Sequence, residues 1–289
     1  SLPESRAALV RALEIDRGLL ADQPNSEHRF QLAIALLHSS AFYQTPDTLE
    51  SGIAQLQQSL TLFDQLASEG LSSLDFRTQH AFAHKRMGAV VSFVRHDYAA
   101  GGRNYREALA IDQSLVDEHP ERADLRYNLT QTQNDLAVVD TEEGRFDEAL
   151  TGIHRALATR EAMLASDPGD ARTRDGVASA LQTLCDVLTR QKHYPEALAA
   201  ATRSVEIAES GSRTESIRIA RGWYRIGNAN LGWAKTAPAA SRAHLDQAGR
   251  YLEQARVFYR KQRGLGPNDA GMEKSLDRLL AEVAVLRRR

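Results

Sequence analysis

Four prolines, Pro24, Pro120, Pro168 and Pro267, stand at equivalent points of one repeating unit, and that spacing constrains the chain more than any other feature. Pro120 and Pro168 are 48 residues apart, and Pro24 precedes Pro120 by twice that interval. A fixed period of this size marks an array of one supersecondary unit. In such an array each unit packs on its neighbours and the body grows along one dimension, so a length of 289 residues does not have to be divided into conventional domains.

Three columns follow the period. Ala12, Ser59, Ala108, Ala156, Ser204 and Ala255 are all small, and seven residues earlier Ser5, Gly52, Gly101, Ala149, Ala197 and Ala248 are small as well. Between them run Leu9, Leu56, Tyr105, Ile153, Ala201 and Leu252, mostly large and apolar. Spacings of seven, four and three residues bring the columns onto one helical face, with small residues where another helix approaches and a larger knob between. The intervening segments are helical too: Leu125, Leu129 and Leu136 form one stripe, Val177, Leu181, Leu184 and Leu188 a second, and Leu276, Leu280 and Val283 a third. Pro3, Pro46, Pro195 and Pro238 stand just before or at the start of the small-column helices, where the missing N–H costs little. Thr45 takes the N-cap position before Pro46.

The pattern predicts an all-α solenoid of about twelve helices, one array over residues 1–289. It has an unpaired first helix near 4–22, five antiparallel pairs over about 26–264, and a terminal helix near 269–287. Opening on the second helix of a pair, and on Ser1, is expected of a processed product, of a piece of a longer array, or of a chain whose first helix meets a second copy.

Composition removes several function classes. A net charge of -2 offers no basic footprint for nucleic acid and no polybasic membrane patch. The basic end, Arg287 to Arg289, reads as a frayed, solvated tail. No apolar run approaches the ~18 residues of a membrane span, the richest stretch, Phe30 to Leu37, being broken by Gln31. A single cysteine, Cys185, excludes an internal disulfide framework. The cytoplasm is the expected compartment, with the periplasm left open.

Leu136-Ala137, Gly144, Phe146, Ala149, Ile153, Ala156 and Pro168 together resemble the tetratricopeptide repeat (TPR), with its Leu-Gly pair, turn glycine, aromatic, two alanines around a large residue and closing proline. The departure is length, because each helix carries seven extra residues, two turns, which keeps the packing face almost in place. Such long-helix repeats are similar to those of kinesin light chains and of arrays that follow serine/threonine kinase domains in bacterial proteins.

The resemblance implies a right-handed solenoid that is a non-catalytic scaffold for protein partners, and whose first helices line a concave groove for an extended peptide. Arg86, Gln131, Asn134, Asp135, Gln182, Asp186, Arg225 and Asn230 lie on the helix face beside the packing stripe and are the candidate groove residues. Amides there can donate to and accept from a peptide backbone, although a solvated helix face would show the same polar stripe. The carboxylate clamp of chaperone-binding members is not matched, since its places hold Arg86 with Val90, Asn134 with Val138, and Gln182 with Asp186. Two alternatives stand beside this reading: the interaction or sensor region of a larger bacterial serine/threonine kinase, and a homo-oligomerisation module joined through a terminal helix, as a homodimer for example.

Catalysis has no positive signal and no cofactor is implied. Gly101-Gly102 lacks the lysine and preceding strand of a phosphate loop. Cys185 falls in the close-approach column of Ala89, Ala137 and Gly232, which points to a structural thiol. His80 and His84, four apart on a helix, could in principle share a metal, but the sequence places no carboxylate or cysteine to complete the shell, so packed or surface histidines are expected and no metal is assigned.

Overall fold

The computed structural model describes residues 2–40, 48–211, 216–237, 241–261 and 271–288, the side chains from residue 8 onward. Twelve α-helices and no strand occur among them: α1 (Leu2–Asp22), α2 (Ser26–Ser39), α3 (Leu49–Ser68), α4 (Leu74–Phe93), α5 (Tyr98–Glu118), α6 (Ala123–Glu142), α7 (Phe146–Ser166), α8 (Ala171–Arg190), α9 (Tyr194–Glu209), α10 (Ile217–Thr236), α11 (Ser241–Lys261) and α12 (Met272–Leu286). The expected Thr45 cap, Pro46, Pro238, Pro267 and Arg289 lie outside the described residues, as does the side chain of Ser5. Residues 1–132 and 133–289 form two compact units, with the division inside α6.

Local chemistry sets the helix starts. Asn25, directly after Pro24, accepts from His28 N to cap α2. Ser73, Asp97, Asp170 and Ser216 cap α4, α5, α8 and α10 in the same way, each satisfying an N–H that the first turn leaves without an intrahelical partner. Pro195 sits in the first turn of α9, where proline costs no helical hydrogen bond. The period reappears as geometry: Arg126 donates to the Pro120 carbonyl and Arg174, 48 residues on, to that of Pro168. Likewise Arg29 pairs with Glu69, and Arg77 with Glu118.

In the first unit, Phe30, Leu56, Phe63, Phe76 and Met87 make one core shared by α2, α3 and α4. In the second, Ala149, Ile153, Ala156, Val177, Leu181, Ala197, Ala201 and Ile226 make another, and Leu245, Leu252, Tyr259, Leu276 and Val283 a third. The small columns are sealed from α3 onward: Ser59, Ala108, Ala156, Ser204 and Ala255 are all fully buried. Each buried large knob such as Ile153 contributes about 1.5–3 kcal/mol relative to exposure. On α1 the columns are looser, since Leu9 and Ala12 are half-buried and Leu13 takes the core position against α2. On α4 the close approach also shifts by one residue: Ala89 is half-buried, and Gly88 lies against Tyr105 and the Gly101 carbonyl of α5.

Candidate functional site

The expected groove residues divide into three environments. Gln182 and Asn230 are buried in the helix packing: Gln182 Nε2 donates to Arg218 O at 2.8 Å, while Asn230 Nδ2 donates to Ile226 O and its Oδ1 meets His244 Nδ1, both at 2.9 Å. Asn134 is buried as well, with Nδ2 turned to Asp135 Oδ1 at 3.3 Å. Gln182 and Asn230 hold helices together, because a buried amide is costly unless its donors and acceptors are used, whereas the Asn134 contact stays within α6 and its buried Oδ1 has no hydrogen-bond partner among the described residues. Arg86 is half-buried on α4, where desolvation lowers its pKa against the opposing pull of Tyr105, and Gln131 on α6 is exposed.

Asp186 and Arg225 belong to the third environment, a cleft of about 320 Å³ between α6, α8 and α10. Asp186 Oδ2 accepts from Arg225 Nε at 2.9 Å and Nη2 at 2.7 Å. Arg225 is braced by two carbonyls, donating from Nε to Gln182 O at 3.1 Å and from Nη1 to Arg221 O at 3.2 Å. Both contacts to Asp186 fall on Oδ2, which leaves Oδ1 without a partner among the described residues while 42% of the side chain remains exposed. Crowding by the cleft walls pushes the Asp186 carboxyl up, against the opposing pull of Arg225.

A second ion pair lines the cleft, Arg190 Nη2 lying 2.5 Å from Glu142 Oε1. Thr141, Thr183, Thr189, Tyr224 and Asn228 supply hydroxyls and an amide. The lining therefore offers two carboxylates, two guanidiniums and several neutral donor–acceptors, with its charges balanced. Glu142 and Arg190 are 48 residues apart, so opposite charges at one register position of successive repeats were a signal in the sequence that the polar stripe did not use. Asp186 and Arg225 are 39 apart and carry no such signature.

Elsewhere, Cys185 is buried behind the cleft; desolvation, then the neighbouring Asp186 charge, push its thiol up to about 12. That environment suits a packed, un-ionised thiol. Gly101 and Gly102 are both buried in the first turns of α5, Gly101 against Gly88 and Ser92 of α4. Arg287 is exposed, as expected of the tail, and also reaches α11, with Nη2 3.1 Å from Leu245 O and 2.9 Å from Asp246. His80 is buried and His84 half-buried, and the structure brings to them a carboxylate that the sequence did not indicate, Asp64 of α3, whose Oδ1 is 2.9 Å from His80 Nε2. Desolvation, then the adjacent His84, lower the pKa of His80. No described helix is long and apolar enough to cross a membrane.

No protein-family model matches this sequence, and no curated protein matches it either. Solved structures do resemble it. BtubC (BKLC) from P. vanneervenii superposes with a TM-score of 0.63, covering 93% of this chain and 94% of that one at 14% identity. The nearly identical TPR-like repeats of a putative kinesin light chain from Podospora anserina give a TM-score of 0.56 over 82% of this chain and 100% of that one, at 16% identity. At such identities the likeness is one of architecture. By fold, this chain is an all-helical, TPR-like solenoid.

Proposed function

We propose that the chain is a non-catalytic interaction module, and that a peptide segment of a protein partner lies in the cleft between α6, α8 and α10. The observation that carries this reading is the Asp186 and Arg225 pair, held rigid by the Gln182 and Arg221 carbonyls yet still open at Asp186 Oδ1. A braced carboxylate can accept a backbone or lysine N–H from a ligand without itself losing much freedom, which lowers the cost of binding. Asn228 and the cleft threonines can serve the ligand backbone, and Tyr224 gives an amphipathic wall. The buried Gln182 supports the cleft wall through its carbonyl, and Arg86 and Gln131, which belong to the first unit, stay candidate partner contacts in their own right. The TPR-like fold agrees with such a role, because its repeats present successive first helices side by side.

Selection from a phage-displayed peptide library, followed by anisotropy titration of the selected peptides, tests the reading. Asn228→Ala and Thr189→Ala should each weaken binding about tenfold or more, the effect of removing one hydrogen bond of about 1–3 kcal/mol, with the melting temperature nearly unchanged. Arg155→Ala, at an exposed position of α7, should bind as the parent does. Failure to select any peptide, or binders indifferent to both cleft variants, would remove the cleft from consideration.

A further inference from the structure

We propose that Asp64 of α3 and His80 and His84 of α4 form a site for one divalent transition-metal ion of the zinc class, tying the two helices together. Asp64 Oδ1, His80 Nε2 and His84 Nε2 converge on one point: the carboxylate oxygen is 2.9 Å from His80 Nε2 and 3.9 Å from His84 Nε2, and the two nitrogens are 3.1 Å apart. A tetrahedral ion with bonds of about 2.0–2.1 Å has ligand atoms separated by about 3.3–3.4 Å, and the three observed separations bracket that edge. A pair of imidazoles on successive turns of one helix presents two nitrogens to one side, and the third ligand arrives from the neighbouring helix.

The surroundings fix the ligands in place. The His80 ring is stacked on Phe63, with centroids 5.5 Å apart and planes within 8°, and is tilted against Phe76 at 5.8 Å. His84 has its other nitrogen, Nδ1, 3.4 Å from Asn104 Oδ1 of α5. An N–H donated there leaves the His84 Nε2 lone pair free to face the ion, the outer-shell arrangement that orients metal-bound histidines. One proton, on His80 Nε2, is then shared among the converging atoms, and binding requires only that His80 take the tautomer protonated on Nδ1. Two imidazoles favour zinc, nickel, cobalt or copper over magnesium or calcium, which want oxygen ligands. Asp64 keeps 61% of its side-chain surface exposed, so the ion reaches the site from solvent and water completes its coordination.

Titration of the tag-free, chelator-treated protein with Co²⁺ and Zn²⁺ tests the site. One equivalent should bind, Co²⁺ should develop the visible absorption of a four- or five-coordinate ion, and Zn²⁺ should raise the melting temperature. Asp64→Asn and His84→Gln should each weaken binding at least tenfold, while His154→Ala, exposed on α7, should leave it unchanged. In the unaltered protein, long-range ¹⁵N spectra should show Zn²⁺ shifting the His80 and His84 imidazoles together. Absence of stoichiometric binding, shifts confined to other histidines, or affinity that survives both ligand variants would overturn the proposal.

Discussion

Lys85 Nζ lies 3.0 Å from Asp112 Oδ2 between α4 and α5, and Thr132 donates its hydroxyl to the same oxygen at 2.5 Å. Asp112 is 3% exposed and the Lys85 side chain 12%, so both charges have left water and depend on each other. Asp112→Ala should therefore cost about 3–5 kcal/mol, chiefly by stranding the lysine, whereas the double replacement Lys85→Met with Asp112→Leu should cost far less. Urea denaturation of the two variants beside the parent checks this. Single and double variants of equal stability would show that the pair is not the brace it resembles.

Cys185 combines burial with a neighbouring carboxylate, which raises its thiol from an ordinary 9.0 to about 12. The native thiol should resist alkylation at neutral pH and react once the chain is unfolded. The same shift has a stability consequence. Between those two values the unfolded chain has lost the proton and the folded chain still holds it, so the unfolded state binds fewer protons and stability falls as pH rises. Cys185→Ala lacks this term, and should lose less stability than the parent between pH 9.0 and about 12. Rapid native labelling would contradict both expectations.

The packing was legible because helix contact demands small residues at a fixed interval, and Ser59, Ala108, Ala156, Ser204 and Ala255 are buried at that interval. The site was less so. A polar residue beside the packing stripe of a helix reads alike whether it faces water, a ligand or the next helix, and Gln182 and Asn230 turned out to serve the neighbouring helices. Asp64 escaped notice because its role depends on pairing across a turn. Yet Asp64 and His80 are each eight residues from position 72, within the turn joining α3 to α4, and antiparallel helices bring such positions level.

The small columns differ in how small they must be. A Cβ on Gly101 would stand 1.8 Å from Ser92 Oγ and 2.9 Å from the Gly88 carbonyl, so Gly101→Ala should force α4 and α5 apart and cost about 1–3 kcal/mol or more. Gly152, in the middle of α7, has nothing nearer such a Cβ than Gln133 O at 3.6 Å, and Gly152→Ala should stabilise by about 0.5–1 kcal/mol through helix propensity. Thermal denaturation should therefore separate the two changes in opposite directions. Shifts of one sign for both would mean that the helix spacing at Gly101 is looser than it stands.

Positions 96, 144 and 192 recur at the repeat interval, and all three adopt the left-handed conformation, with φ of 57° at His96, 76° at Gly144 and 65° at Lys192. At the last two the turn closes alike: Arg145 N donates to Asp140 O at 2.7 Å and His193 N to Leu188 O at 2.9 Å, ending α6 and α8 with the same pair of reversed hydrogen bonds. Only one of these matching positions carries glycine, the residue that enters this region without a Cβ clash. A non-glycine residue there pays about 1–2 kcal/mol. Part of that cost is recovered because a lysine restricts the unfolded chain more than glycine does. Lys192→Gly should consequently stabilise the protein by up to about 1 kcal/mol, and Gly144→Ala should destabilise it by a similar amount, both read as shifts in the urea midpoint at constant slope. A loss of stability in Lys192→Gly would show that the lysine side chain contributes at that corner more than its backbone conformation costs.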